Sequence, residues 1–553
     1  MKIKKSMKKP IFYVISILIT SNLLAQKTNK VDQIFEDWNQ KNHPGGVVYI
    51  SKADKVLYSK AFGLANIQYS IPNTIESVFN LASVSKQFTA LGIALLQEDG
   101  KLTIDDSIQK YLPELPNFGH KITIRHLLHH TSGLRSTPEL FGLAGWRDGD
   151  AISTEDVFNY TCKQKDLNFK PGSEFMYSNT NYVLLAMIIG RVTNQNFADW
   201  MKSNVYNPLG MSKTYIDESN LNVTAYTSTP YSEEKKNQFV IAQNLGHDVG
   251  ASNIYSSAPD LMRWMKQLNN PEKKWLNSIN LMLTTDTLTN GTSNEYALGL
   301  IRDDYKGNKR IYHNGGIPGY LSFTMNFPDE QLSVIVLTNY LDYQANQRLE
   351  MLLSLFLNEK SGKQDVPESI NPVPLNLKCA KNYTSDYWNS KENYSRSVYL
   401  ENDTLWYLRS NGTKSPMLQV NDSMFVIGGV KTPVHVHFKK NDDLIYMHVK
   451  DGLKPVQIFE PYDNSPTAST DLNNYSGVYY SSELQTSYTI TTDQKGLTGY
   501  HSRHGYFSIK ILRKGFINWS GMAVAKYEFD NQGKVKGFYV TMNRVRNVWF
   551  AKQ

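Results

Sequence analysis

The sequence has few of the residues that build metal sites, nucleotide sites and disulfide frameworks. Only two of its 553 residues are cysteine, Cys162 and Cys379. An exported protein could pair them, but so distant a pair is no disulfide framework, and we favour free thiols. It contains no HExxH or CxxC pattern for a metal and no GK[ST] or GxGxxG pattern for phosphates. His126, His129 and His130 cluster without such a companion motif. We therefore expect no metal and no cofactor.

Excess positive charge is confined to the N-terminus. The formal net charge is +8, but five lysines lie in the first 25 residues, which contain no acid. Without those five, the 59 basic residues fall to 54 against 51 acidic ones. A nearly neutral body gives no electrostatic reason to bind nucleic acid, so we exclude a nucleic-acid partner.

Long apolar runs are missing too. The apolar stretch at 11–19 follows the lysines and leads to Ala25, where polar residues begin. It is shorter than the roughly 20 residues that span a bilayer, and its small terminal residue suits cleavage, so residues 1–25 are predicted to be a signal peptide. An uncleaved anchor is the alternative. A lipoprotein would need a cysteine near the cleavage site, and this sequence has none there, so we do not expect a lipoprotein. We expect a periplasmic or secreted protein with no stable membrane span after cleavage.

The length predicts several domains, since single cores stop growing near roughly 250–300 residues. Residues 31–360 alternate short strands with longer helices. Predicted strands lie at both ends of this region, at 46–50, 55–62, 310–313, 320–327 and 332–339. We predict an α/β (α+β) domain at 26–362, in which one antiparallel sheet is built from both ends of the domain and is flanked by helices, with a helical subdomain inserted.

The remainder is rich in aromatic residues and is duplicated. Six landmarks recur 92 or 91 residues later: Tyr383, Tyr387, Leu405, Phe425, Phe438 and Phe459 recur as Tyr475, Tyr479, Leu497, Phe516, Phe529 and Phe550. The near-constant offset indicates two copies of one unit. Each copy is long enough for about eight short strands that close into a barrel. We place the two all-β barrels at 363–466 and 467–553.

Three short motifs could carry chemistry. Ser83 and Lys86 lie three residues apart at the start of a predicted helix, where both side chains share a face. A desolvated lysine can accept the serine proton and so create a nucleophile. Tyr177 and Asn179 stand in a loop before a buried helix, where a tyrosine can act as a base and an asparagine can orient groups.

The third motif is His313-Asn314-Gly315-Gly316 at the end of a predicted strand. Its glycines allow close approach of backbone, and an edge-strand N–H there could bind an oxyanion. Each motif alone is weak evidence for catalysis. The S-x-x-K pattern, for example, also occurs at Ser107/Lys110 and Ser232/Lys235. The histidine alone could equally be an ordinary turn residue.

Their order and surroundings resemble the serine β-lactamase and penicillin-binding protein superfamily. The supporting stretches are FNLASVSKQFTA at 79–90, HLLHHTSGL at 126–134 and PGSEFMYSN at 171–179. Over residues 31–358 the sequence resembles the class C β-lactamase-like branch, which includes D-aminopeptidases, D,D-peptidases and esterases. The two C-terminal units resemble the lipocalin-like barrels of some D-aminopeptidase relatives.

The resemblance implies a role for each motif residue. Ser83 would form an acyl-enzyme, Lys86 and Tyr177 would share the general-base work, and Tyr177 would protonate the leaving group. Asn179 would orient the acyl group, and the backbone N–H groups of Ser83 and Gly316 would form the oxyanion hole.

One departure bears on the substrate. The family often has Lys-Thr-Gly or Lys-Ser-Gly where this chain has His313, Asn314 and Gly315, which would meet the substrate with a weaker, pH-dependent charge. We therefore favour a small amide, peptide or ester substrate, D-amino-acid peptides included, over β-lactams or D,D-carboxypeptidase substrates, which present a carboxylate. A non-catalytic cell-wall or ligand-binding protein is the other alternative, and an oligomer stays open.

Overall fold

The computed structural model describes residues 25–53, 55–147, 149–219, 223–243, 245–246, 248–360, 372–392, 394–409, 412–430, 434–451, 456–462, 469–494, 496–513, 515–519 and 523–553. The predicted signal peptide therefore lies, except for Ala25, outside the described residues. Two compact units are present. The first consists of Met1–Thr137, Asp148–Cys162 and Phe169–Gly362, and the second of Pro138–Arg147, Lys163–Asn168 and Lys363–Gln553.

The first unit is built on a six-stranded antiparallel sheet whose order is β12-β13-β14-β15-β1-β2. Its strands are β1 (Gly46–Lys52), β2 (Lys55–Phe62), β12 (Ile301–Tyr305), β13 (Asn308–Ile317), β14 (Tyr320–Phe327) and β15 (Leu332–Thr338). The predicted sheet built from both ends of the domain is thus confirmed. β15 pairs with β1 from Gly46↔Thr338 to Lys52↔Leu332, which joins the two ends. The sequence analysis missed β12.

Shorter strands complete this unit: β3 (Leu64–Asn66), β4 (Ile71–Pro72), β5 (Val78–Asn80), β6 (Tyr215–Ile216), β7 (Tyr231–Lys235), β8 (Gln238–Ile241), β9 (Ile254–Ser257), β10 (Asp286–Thr287) and β11 (Ser293–Asn294). β9 pairs with both β5 and β6 in a small sheet. This sheet matters for function because β5 runs directly into the turn that carries Ser83.

The α-helices are α1 (25–34), α2 (Lys86–Glu98), α3 (Ile124–Leu128), α4 (Thr137–Leu143), α5 (Thr154–Lys163), α6 (Asn179–Thr193), α7 (Phe197–Met201), α8 (Asn207–Leu209), α9 (Ala258–Asn269), α10 (Leu276–Met282), α11 (Ala345–Phe356), α12 (Leu377–Lys381) and α13 (Ser469–Tyr475). Short 3₁₀ helices cover Glu36–Asn39, Ala82–Ser85, Ile108–Lys110 and Pro328–Glu330, and a π-helical turn covers Lys202–Tyr206.

Local sequence signals explain where key helices begin and end. Thr123 caps α3 by accepting a hydrogen bond from the His126 backbone N–H, and the His126 ring accepts one from the Thr123 N–H. α2 ends before Gly100, whose φ of +69° suits glycine. α6 is buried on almost all sides between Thr180 and Ile189, as its continuous apolar sequence predicts.

The second unit contains two closed barrels of eight antiparallel strands each, which confirms the predicted architecture. The first consists of β16 (Ser385–Asn389), β17 (Tyr394–Glu401), β18 (Thr404–Arg409), β19 (Lys414–Gln419), β20 (Met424–Ile427), β21 (Val434–Asn441), β22 (Leu444–Asp451) and β23 (Gln457–Tyr462). The second consists of β24 (Gly477–Ser481), β25 (Thr486–Asp493), β26 (Gly496–His501), β27 (Gly505–Arg513), β28 (Phe516–Trp519), β29 (Ala523–Phe529), β30 (Val535–Met542) and β31 (Val545–Lys552).

The same hydrogen bond occurs in both barrels. The Tyr387 hydroxyl donates to the Tyr383 carbonyl at 2.9 Å, and the Tyr479 hydroxyl donates to the Tyr475 carbonyl at 2.6 Å. Both donors are fully buried residues of the first strand in their barrel. The aromatic landmarks of the repeat are therefore structural, and the predicted duplication is visible in the fold.

The barrel unit also holds two segments from the middle of the sequence, Pro138–Arg147 and Lys163–Asn168. The sequence analysis assigned both to the domain at 26–362, because their composition does not differ from that of their neighbours. The exact domain boundaries stay a prediction. Among the described helices, none combines the length and the apolar character needed to cross a bilayer.

Candidate active site

Ser83 and Lys86 occupy one turn of the chain. Ser83 lies in the 3₁₀ turn Ala82–Ser85, and α2 begins at Lys86. The Lys86 Nζ atom lies 3.1 Å from the Ser83 Oγ atom and donates to the Ala251 carbonyl at 2.8 Å. Lys86 is completely buried, whereas Ser83 is partly exposed. The predicted pairing of these two side chains is therefore present.

The backbone that presents Ser83 is held in an unusual conformation. Ala82 has a φ of +46°, which costs a residue with a Cβ atom of the order of 1–2 kcal/mol. The Asn80 side chain accepts a hydrogen bond from the Ala82 N–H at 2.8 Å, and Ser322 Oγ donates to the Leu81 carbonyl at 2.5 Å. These two bonds fix the turn on both sides of Ala82.

β13 passes so close to this turn that only glycine fits at one position. A Cβ atom on Gly315 would lie 2.4 Å from the Leu81 carbonyl oxygen and 2.7 Å from the Ser83 nitrogen. The pairing of β12 with β13 ends at Tyr312, so the following residues have no β12 partner on that side. β13 itself continues to Ile317, so the histidine motif lies inside the strand rather than at its end.

Tyr177 lies over the buried lysine. The Lys86 Nζ atom is 4.8 Å from the centre of the Tyr177 ring. On the other side, the His130 ring packs against Tyr177 with their centroids 4.2 Å apart. His130 is fully buried, and its Nδ1 atom accepts a hydrogen bond from the Ser178 N–H at 3.1 Å. His130, which the sequence analysis considered as a metal ligand and as part of the HLLHHTSGL stretch, thus supports the loop that carries Tyr177.

Asn179 begins α6 and contacts an acid that the sequence analysis missed. Its Nδ2 atom donates to the Asp248 carboxylate at 3.0 Å. Asp248 also accepts backbone hydrogen bonds from Ala251 and Ser252, both at 2.8 Å, and so shapes the turn whose Ala251 carbonyl holds Lys86. No short motif marks Asp248, because its contacts come from a turn about 70 residues downstream of Asn179.

His313 is an uncharged residue of the core. It is only 3% exposed, and burial, with a smaller effect of the nearby Lys86 charge, lowers the pKa of His313 to about 3. Its Nδ1 atom lies 2.7 Å from the Asn314 carbonyl and donates to it, so Nε2 accepts from the Tyr296 hydroxyl at 3.0 Å. The expected pH-dependent charge at this position was wrong, because desolvation keeps the imidazole neutral at neutral pH. Asn314 and Gly316 are exposed.

The other two clustered histidines have structural partners. His126 completes the α3 cap, and the His129 ring bonds to the Tyr296 carbonyl at 2.8 Å. Burial lowers the pKa of both. In the part of the chain that the structure describes, no three His, Cys, Asp or Glu side chains are grouped to hold a metal ion.

Comparison with known proteins identifies the family. A sequence model described as "Beta-lactamase" matches residues 31–355, more than half of the chain. The chain belongs to the β-lactamase family. This family of serine hydrolases includes the penicillin-binding proteins, which agrees with the resemblance found in the sequence. The family match contains all the predicted site residues.

Individual relatives agree with this assignment. The β-lactamase-family chain is 31% identical to "Penicillin-binding protein 4*" of Bacillus subtilis (strain 168) over 332 residues, which are 57% of this chain and 72% of the relative. An octameric penicillin-binding protein homologue from Pyrococcus abyssi shares the fold, with a TM-score of 0.55 and 22% identity over 78% of this chain and 99% of the other. A D-amino acid amidase from Ochrobactrum anthropi SV3 also shares the fold, with a TM-score of 0.50 and 19% sequence identity. The match covers 59% of this chain and 98% of the amidase chain.

Proposed function

We propose that this chain is an exported serine hydrolase that forms an acyl-enzyme through Ser83 and cleaves small amides, peptides or esters. The single observation that carries the proposal is the fully buried Lys86 amine, 3.1 Å from the Ser83 hydroxyl oxygen. Removal from water disfavours the charged form of an amine, and an uncharged amine at that distance can accept the serine proton.

The reaction proceeds in two halves. In its uncharged form, the Lys86 amine takes the Ser83 hydroxyl proton as Oγ attacks the substrate carbonyl carbon. The N–H groups of Ser83 and Gly316 stabilise the resulting oxyanion. When the tetrahedral intermediate collapses, the bond to the leaving group breaks, and the leaving group receives a proton through Tyr177. Water then attacks the ester carbonyl carbon and gives up a proton to the same groups. The bond between that carbon and Ser83 Oγ breaks, Oγ receives the proton, and the acid leaves.

The surrounding residues orient the substrate in this scheme. The Asn179 amide is fixed by Asp248 through Nδ2, so its Oδ1 atom is the acceptor directed away from that bond. Gly315 allows β13 to approach the nucleophile turn. Asn314 is exposed on the same strand and supplies a polar side chain for the substrate, whereas His313 supports the strand from within.

The neutral His313 favours substrates that lack a free carboxylate. A histidine whose pKa is about 3 carries no positive charge at neutral pH, whereas the lysine found in many relatives does. β-Lactams and D-Ala-D-Ala peptides present a carboxylate, but amides and esters do not. The D-amino acid amidase that shares this fold is named for such an amide substrate. We therefore place amides, D-amino-acid amides included, before β-lactams.

Export and assembly are further parts of the proposal. The basic, apolar N-terminal segment supports passage to the periplasm or the exterior. The Pyrococcus abyssi homologue is octameric, which makes an oligomer a reasonable expectation for this chain as well.

A cleavage screen followed by mass spectrometry tests the proposal. One mixture holds a D-amino-acid amide, a short-chain ester, a D-Ala-D-Ala peptide and a cephalosporin. Ser83→Ala should abolish turnover, whereas Ser107→Ala, which removes the serine of another S-x-x-K sequence, should leave it unchanged. Preferred loss of the cephalosporin would contradict the substrate class. Equal behaviour of wild type and Ser83→Ala would contradict the enzyme itself and favour a binding protein.

A further inference from the structure

A cavity of about 400 Å³ is lined by α9 and by the strands β1 and β15. Its walls include Tyr49, Ser51, Met262, Arg263, Lys266 and Asn269. Cavities of this size are typical of sites for small molecules. All of its lining residues belong to the first compact unit.

The cavity is at the far end of the six-stranded sheet from the nucleophile turn. On β15, Ser333 lines the cavity, whereas Thr338 pairs with Leu321 of β14. Leu321 pairs in turn with Gly316, the proposed oxyanion donor. The strand from Ser333 to Thr338 spans roughly 17 Å, at about 3.4 Å per residue. The cavity is therefore separate from the candidate active site.

Two cationic side chains face solvent at the cavity. Arg263 and Lys266 lie three residues apart on α9, and both are exposed. Neither aspartate nor glutamate occurs among the described residues that line the cavity. The Arg263 Nη1 atom donates to the buried Asp260 carboxylate at 2.8 Å. Among the described residues, the Arg263 side chain makes no other hydrogen bond, so its remaining N–H groups can bind a ligand.

The positive charge also acts on the β1 side of the cavity. Burial raises the pKa of Tyr49, the Arg263 charge lowers it, and the Glu76 charge raises it. Glu76 is paired with Lys213, whose Nζ atom lies 2.5 Å from its carboxylate. The lysine therefore offsets this nearby negative charge, and the cavity favours an anion.

Two polar atoms of the cavity residues lack good partners. Ser51 is only 6% exposed, and among the described residues its hydroxyl bonds only to the Met262 sulfur, at 3.1 Å. Sulfur is a weak acceptor. Asn269 Nδ2 donates to Ser333 Oγ at 3.0 Å, but the buried Asn269 Oδ1 atom has no hydrogen-bond partner in the described part of the chain. Buried polar atoms without partners are unfavourable, so a ligand that bonds to them would gain affinity.

Apolar groups cover other parts of the wall. Val56 lines the cavity with its side chain half exposed, and Pro259 and Met262 line it from α9. Small-molecule sites combine such apolar surface with a few polar groups that fix the orientation of the ligand. The combination suits an acid with an apolar body better than an inorganic ion.

We propose that this cavity is a second ligand site, which binds a small organic anion with a carboxylate or phosphate group on an apolar body. Arg263 and Lys266 bind the anionic group. Ser51 and Asn269 supply a donor and an acceptor to polar atoms of the same ligand. The site does not depend on Ser83 chemistry, so it can be tested separately from the proposed function.

Isothermal titration calorimetry of the full-length protein tests the site with two probes. N-acetylphenylalanine presents a carboxylate and phenyl phosphate a phosphate, and every protein also carries Ser83→Ala so that turnover adds no heat. We expect at least one probe to bind, and Lys266→Gln to weaken its binding at least about tenfold. Lys273→Gln is the matched control, because this exposed lysine follows α9 but does not line the cavity. It should leave binding within about twofold.

A milder variant and a second measurement locate the bound probe. Ser51→Ala keeps both cations and should weaken binding about threefold. The bound probe should slow backbone hydrogen exchange in residues 49–56 and 259–270, but not in residues 79–90 around the nucleophile turn.

Failure of both probes to bind at about 10 mM would overturn the site. Equal affinity of Lys266→Gln and its Ser83→Ala parent, or protection confined to residues 79–90, would also overturn it. Binding of only one probe would support the site and identify its anionic group. Absence of Ser83-dependent turnover in the cleavage screen would reject the proposed function and leave this site intact.

Discussion

Gly315→Ala is the sharpest perturbation of the proposed oxyanion hole. The added methyl group would lie 2.4 Å from the Leu81 carbonyl oxygen and 2.7 Å from the Ser83 nitrogen. Unstrained contacts between heavy atoms lie near 3.5–4 Å, so the strand and the nucleophile turn must separate by about 1 Å. Both obstacles are backbone atoms, and no rotation of a side chain can remove them.

The expected cost follows from that displacement. Loss of one oxyanion donor lowers kcat by about 10²–10³, and a misplacement of about 1 Å can cost about 10². We expect kcat to fall about 10²-fold or more. Overpacking should also lower the free energy of unfolding by about 1–3 kcal/mol. Thermal unfolding and the rate of Ser83 acylation by a fluorophosphonate probe measure the two effects separately.

Gly316→Ala is the matched control. Its added methyl group would meet only the flexible end of Leu321, at 3.2 Å, and the backbone N–H proposed as an oxyanion donor would remain. We expect acylation within about threefold of wild type. Equal acylation rates for Gly315→Ala and wild type, or equal damage from both substitutions, would refute the assignment of this strand to the oxyanion hole.

The remaining predictions concern the other site residues. Lys86→Met should lower acylation at least about 10³-fold, since it removes the proposed base, whereas Lys110→Met should not; retention of acylation by Lys86→Met would contradict this role. Asp248→Ala should lower kcat/KM about tenfold by releasing the Asn179 amide, and Asp248→Asn, which can still accept a hydrogen bond, should lower it less. Equal losses in steady-state kinetics would contradict this and show that the charge matters more than the hydrogen bond. Burial lowers the pKa of His313 from 6.5 to about 3, so the unfolded chain binds more protons there and acidification from pH 6.5 towards 3 should favour unfolding. His313→Gln should therefore show a smaller loss of Tm over this range, and an identical loss would contradict the neutral, buried histidine.

Periodic and repeated features could be predicted from the sequence. The sheet joining both ends of the domain follows from the positions of its apolar strands, and the spacing of aromatic residues predicts two barrels. The pairing of Ser83 with Lys86 follows from helical geometry, since residues three apart share a face. These features depend on short-range patterns or on repeats that a single sequence displays.

Contacts between distant segments were not predictable in the same way. Asp248 reaches Asn179 only because a turn folds back against α6, and the Glu139–Arg544 pair joins residues about 400 apart. The pKa of His313 depends on burial that the local sequence does not reveal. Each of these depends on tertiary packing, which changes the chemistry of a residue without changing its motif.

The most direct test of the central claim is intact-protein and peptide mass spectrometry of the acyl-enzyme. Wild type and Ser107→Ala are mixed with a fluorophosphonate or a slow ester substrate and quenched at short times. We predict a single adduct, on the peptide that contains Ser83, and no adduct on Ser83→Ala. An adduct that persists in Ser83→Ala, or turnover of an amide or ester that does not require Ser83, would contradict the account.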